Sequence, residues 1–100
     1  MKNLYETADT MMPALLAELH KHLGERAKGK MYADTKMDWL FFTVVVDGDL
    51  QRGTLECLKR TALEDGTFKQ NFGPELLEWL RNHYAYKFEE RAREDRDQRE

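Results

Sequence analysis

Apolar residues recur along this chain in more than one rhythm, and the rhythms divide it into elements. Met12, Leu15, Leu16, Leu19 and Leu23 follow one another at steps of one to four residues and share one side of a helix, with Glu18, Lys21, Glu25 and Arg26 on the other. That spacing predicts an amphipathic helix with a buried face, ending between Gly24 and Gly29. Upstream, Asn3 can cap a helix, with Glu6 three positions on in capping-box register. Pro13 opposes the carbonyl four residues back, so a break or kink is expected between Thr10 and Pro13. A new helix capped by Asp9 or Thr10 would hold Pro13 in its first turn, where a missing amide hydrogen costs little.

The run Trp39-Leu40-Phe41-Phe42-Thr43-Val44-Val45-Val46 carries no charge and little polarity, which makes it the centre of the core. Its three valines favour a strand, and Asp47-Gly48 is a strong two-residue hairpin signal. The partner within reach, Asp49 to Leu55, is polar and contains Gly53, and an isolated two-stranded hairpin is marginal. The competing structure is a helix over 37–46, buried on nearly all sides. Further on, Leu55, Leu58 and Ala62 share a helical face, predicting a helix over 54–64 that ends at a left-handed Gly66. Pro74 and Glu75 mark the start of a last helix, whose inner stripe is Leu77, Leu80, Tyr84 and Phe88 with Leu76 at its edge. The expected fold is therefore mainly α, with three to four helices; a short β-hairpin around 39–55 would make it α+β. Residues 1–88 form the expected single domain. From Glu89 to Glu100 no apolar face remains, and opposite charges at helical spacing predict a solvated helical extension or tail.

Composition narrows the class. One hundred residues suffice for one core but not for a core plus a deep enclosed substrate cavity. A hydrophobic fraction of 41% with 35% charged residues is that of a folded globular chain. The net charge of −3 gives no overall basic field for a phosphate backbone, so nucleic-acid binding is disfavoured. The segment from Arg26 to Lys36 is locally basic, with Arg26, Lys28, Lys30 and Lys36 against Asp34 alone. Charge runs are mostly solvated surface, so it reads as a loop; the alternative is a contact for an acidic partner or a phosphate. A lone Cys57 and no secretory leader pattern at the start suggest a reducing, cytoplasmic setting. No apolar run approaches the roughly 20 residues of a membrane span.

Little in the chain points to chemistry. His20 and His22 splay apart on a helix and lack further ligands at metal spacing. His83 has no nucleophile or oxyanion donor placed to pair with it. Asp47-Gly48-Asp49 lacks the later ligands of a calcium loop, and Cys57 reads as a buried structural thiol. No cofactor, metal or catalytic residue is expected, nor does any motif tie the chain to a known family.

One surface does suggest an activity. At about 100° per residue, Trp79 and Tyr86 fall nearly opposite the inner stripe of the last helix, near Arg81 and His83, and exposed aromatics are what partner surfaces are enriched in. The opposing possibility is that Trp79 or Tyr86 packs on the 37–46 segment. The expected function is a non-catalytic protein-binding regulator, a small inhibitor or adaptor that docks on a larger protein such as an enzyme complex, or on its own copy. Accessory inhibitors carried by phages and mobile elements offer an analogy of size and composition only. The alternative from another class is a nucleic-acid regulator in which the 54–64 helix is half of a helix-turn-helix, assisted by Arg52, Lys59, Arg60 and Lys69.

Overall fold

A computed structural model of the chain describes residues 3–99, with side chains described through residue 96. Helix α1 (Leu4–Leu23) is followed by strands β1 (Lys28–Asp34), β2 (Trp39–Val46) and β3 (Asp49–Gly53). A 3₁₀ turn at Glu56–Leu58 then leads to helices α2 (Arg60–Asp65), α3 (Phe68–His83) and α4 (Ala85–Arg99). The fold is mainly α, with a small three-stranded antiparallel sheet in the order β1-β2-β3.

The expected cap holds: the Asn3 side chain accepts the Glu6 amide at 2.8 Å, and its own amide reaches the Glu6 carboxylate at 3.3 Å. The expected break at Pro13 does not occur, and α1 runs through it without interruption. Pro13 is exposed, so the backbone group that loses its partner faces water. On the other side Leu4, Ala8, Met11, Leu15, Leu19 and Leu23 are all buried and hold the helix across the proline. Each fully buried leucine contributes about 2 kcal/mol by the area taken from water.

The run at 39–46 is a strand, and its missing mate lies upstream. The segment read as a basic loop is β1, paired along its length with β2, Lys28 opposite Val45 through Asp34 opposite Trp39. Its inward positions are Gly29, Met31 and Ala33, too small in sum to register as an apolar pattern. Gly29 matters for its lack of a side chain: a Cβ there would lie 2.6 Å from Leu19 Cδ1 and 3.2 Å from Leu15 Cδ2. The absence of that carbon lets α1 lie directly on the sheet. At the other end Asp47 and Gly48 both take positive φ, 50° and 83°, as a two-residue primed hairpin turn demands.

Two helix boundaries also differ from expectation. The predicted helix over 54–64 divides into the 3₁₀ turn, which buries Cys57 and Leu58, and a six-residue α2 with no buried residue. Gly66 ends α2 in the left-handed conformation, as expected. Helix α3 starts at Phe68, six residues before Pro74, because Phe72 joins Leu76 and Leu80 as its buried stripe and extends the face backwards. Tyr84, at the joint between α3 and α4, is wholly buried. No helix among the described residues is long and apolar enough to cross a membrane.

Candidate docking surface

The helices lie on one side of the sheet. Strand β2 turns Leu40, Phe42, Val44 and Val46 towards them, all buried, while Trp39, Phe41, Thr43 and Val45 take the outer side. An antiparallel sheet with one wet face normally alternates apolar with polar residues, yet here the outer positions of the central strand are also mostly apolar. The neighbouring strands complete that surface in cross-strand rows. Lys28, Val45 and Leu50 form one row and Lys30, Thr43 and Arg52 the next; Tyr32 with Phe41 and Asp34 with Trp39 follow.

Among the described residues, no helix is laid across this outer face. Leu50 is 62% exposed and Tyr32 39%. Tyr32 and Phe41 stack with centroids 5.1 Å apart and planes 16° from parallel. The Arg52 guanidinium sits 4.2 Å from the Phe41 centroid, arriving from the strand on the opposite side of β2 from Tyr32. At the far end Lys59 bridges to Trp39 through the backbone and holds its ammonium 5.5 Å from the indole centroid. A shallow cleft of about 220 Å³ opens between Trp39, Phe41, Arg52 and Thr54.

The residues singled out on the last helix lie elsewhere, along the β3 edge. Trp79 is half-buried, edge-on to Phe42 at 4.8 Å, with its indole over Gly53. His83 stacks on it at 4.1 Å and holds its own Nδ1 2.8 Å from the Trp79 carbonyl oxygen. Trp79 is therefore clasped between the sheet and His83, and only His83 and Tyr86 of that group present open rings. Tyr86 donates its hydroxyl to the Asp49 carboxylate, which lifts the phenol above its ordinary pKa. Arg81 departs from the group, its guanidinium 5.9 Å from the Phe88 centroid. Angle along the helix set Trp79 opposite the core stripe, but the residue packs on buried Phe42 of the 37–46 segment, the opposing possibility; a slot over a glycine on a distant strand has no signature in helical spacing.

The remaining candidates have structural partners. His20 Nε2 lies 3.1 Å from the Ala27 carbonyl oxygen, and His22 lies 3.3 Å from Glu18. Cys57 is buried, and desolvation, followed by the nearby Glu75, pushes its thiol up to about 12, the opposite of an activated nucleophile. An open groove of about 630 Å³ runs between the first turns of α1, α2 and the start of α3, lined by Leu4, Met11, Leu63 and Phe68 with Arg60 and Lys69 at its rim. Among the described residues no group of three His, Cys, Asp or Glu side chains is placed to hold a metal ion.

The outer sheet face was missed by sequence reasoning although its signal was present: a strand apolar at both odd and even positions. In comparisons with protein-family models, curated proteins and solved structures, the chain matches none.

Proposed function

We propose that this protein is a non-catalytic binding module, a small regulator, inhibitor or adaptor that docks on another protein through the outer face of its sheet. The observation that carries the proposal is the double-sided apolar strand β2, whose half-buried outer residues Trp39, Phe41 and Val45 have no helix over them among the described residues and lie beside exposed Tyr32 and Leu50. Leaving large apolar side chains in water forgoes their transfer free energy, about 25 cal/mol per Å² of apolar area, and a covering partner recovers it. Aromatic and arginine side chains in the middle of such a face are the types that dominate binding energy in interfaces. His83 and Tyr86, at the neighbouring β3 edge, extend the same docking region rather than form its centre. A reducing, cytoplasmic setting suits the single buried thiol.

The helix-turn-helix alternative has less support, because the segment meant to supply its helix is a 3₁₀ turn followed by six residues of α2.

Differential capture tests the proposal. Tagged protein is expressed in its native host as wild type, as Leu50→Ser with Tyr32→Ser, and as Tyr5→Ser, an exposed site on α1. Proteins held by the wild type and by Tyr5→Ser but lost from the outer-face variant are the expected result. Equal retention by all three forms would refute docking through this face.

A further inference from the structure

The cations around the outer face are arranged as a rim. Lys28 and Lys30 line its β1 side, Arg52 stands on its β3 side, and Lys59 closes the Trp39 end, with Phe41 and Val45 running between them along β2. Lys59 is neutralised by Glu56 at 2.9 Å. Asp34, the acid on this face, spends its Oδ1 on the Lys36 and Met37 amides, at 3.0 and 3.1 Å, and so serves the β1–β2 turn. Among the described residues, Lys28, Lys30 and Arg52 take part in no ion pair. In a chain whose net charge is −3, this is a local positive field around an apolar centre.

Resting on the docking role proposed above, we infer that the occupant of this face is an acidic polypeptide surface. Its carboxylates meet Lys28, Lys30 and Arg52, and its apolar side chains enter between Tyr32, Phe41 and Leu50. Part of the basic stretch from Arg26 to Lys36 thereby acquires a role, since strand pairing brings Lys28 and Lys30 to the side that carries the aromatic residues, while Arg26 pairs with Asp47 and Glu90.

Single-stranded nucleic acid would also meet cations beside aromatic rings, and two features disfavour it. Base binding needs open ring faces as a platform. Phe41 is already stacked on Tyr32 and has the Arg52 guanidinium 4.2 Å from its centroid, which leaves it less ring surface to offer a base. Beside Lys28 in its row, Val45 and Leu50 are aliphatic and Leu50 is strongly exposed, a surface that a polypeptide side chain covers and a sugar-phosphate chain does not. On the β1 edge the Met31 amide is taken by the Met12 sulfur at 3.4 Å, a group that an added strand would need.

The test is selection of short random peptides displayed on phage against the full-length chain. Selected peptides are then titrated into labelled protein observed by NMR, alongside oligothymidylate. The expected peptides combine Asp or Glu with Leu or aromatic residues and shift the signals of Tyr32, Phe41, Thr43 and Leu50. Their affinity should fall about tenfold in Lys28→Glu with Lys30→Glu, and again in Arg52→Glu, a separate strand that guards against misfolding of the first variant. Peptides that map to this face but are neutral or basic, or that ignore the charge reversals, would overturn the acidic partner while leaving the docking role standing. Peptides that map elsewhere, or no enrichment, would overturn both. Oligothymidylate moving the same signals with steep salt dependence would overturn the inference in favour of single-stranded nucleic acid.

Discussion

Tyr84 joins three parts of the molecule through one hydroxyl. It sits at the bend between α3 and α4, wholly buried, with its oxygen 3.0 Å from the Val44 carbonyl and 2.9 Å from the Asp49 carbonyl, a single donor shared by two acceptors. Burial raises the phenol well above its ordinary value, so it stays a neutral donor throughout the physiological range. Tyr84→Phe keeps the ring and leaves those carbonyls without the hydroxyl; equilibrium unfolding in urea should show a loss of about 1–3 kcal/mol with an unchanged slope. Helical spacing placed Tyr84 in the inner stripe, and that was legible. The bond to β2 and β3 was not, because an apolar stripe specifies which face is buried and says nothing of which carbonyl a hydroxyl meets across 40 residues of chain.

At the level of elements, strand β1 and the seat of α3 were the hard parts to read, and for one reason. Both depend on what is absent from a side chain. Gly29 and Ala33 give β1 a weak apolar signature while letting α1 approach, and Gly53 gives β3 the slot that receives Trp79. A Cβ on Gly53 would stand 2.7 Å from Cε2 and 2.8 Å from Cζ2 of the indole. Gly53→Ala should therefore push α3 from the β3 edge, with a loss of about 1–3 kcal/mol by overpacking and a red shift in Trp79 emission. Unchanged stability and emission would mean that the slot is not filled as described. For β2, the valines and Asp47-Gly48 made strand the local preference and left a buried helix over 37–46 open; the structure has the strand. Its two-sided character looked like complete burial, since the absence of polar alternation has the same appearance whether a helix or a partner covers the second face.

For the whole molecule, the charged C-terminal helix is tied to the fold by a small ionic cluster. Lys87, largely buried, reaches Asp47 at 2.7 Å and Glu90 at 3.3 Å, and Arg26 approaches the same two carboxylates at 3.6 and 3.7 Å. Arg91 donates to the Lys21 carbonyl at 3.4 Å, so α4 touches both the hairpin turn and the end of α1. The Lys87 hydrogen bond is the main cause that holds the Asp47 carboxyl below its ordinary 3.8, and the Asp47 contact in turn raises Lys87 above 10.5. A depressed acid contributes stability above its ordinary value and loses it as pH falls through the lowered one. A raised base contributes below its ordinary value and loses it as pH rises through the raised one. The cluster should therefore support α4 between about pH 4 and 10, and the support should fade on either side. In Asp47→Asn, hydrogen-exchange protection of α4, corrected for intrinsic rates, should be weaker than wild type near neutral pH, and its acid dependence reduced. Identical pH profiles in the two proteins would exclude the cluster as the anchor.

Docking through a face and not through an edge, as proposed above, bears on the kind of assembly this chain would join. An open edge is a template that copies itself: each added strand offers a fresh one, and growth has no natural end. On β1 the Met31 amide is capped by the Met12 sulfur, and the surface proposed above for docking is a face. A face is used up by its first occupant. In the docking role proposed above, the molecule would form finite complexes, a terminator of association rather than a unit of polymer.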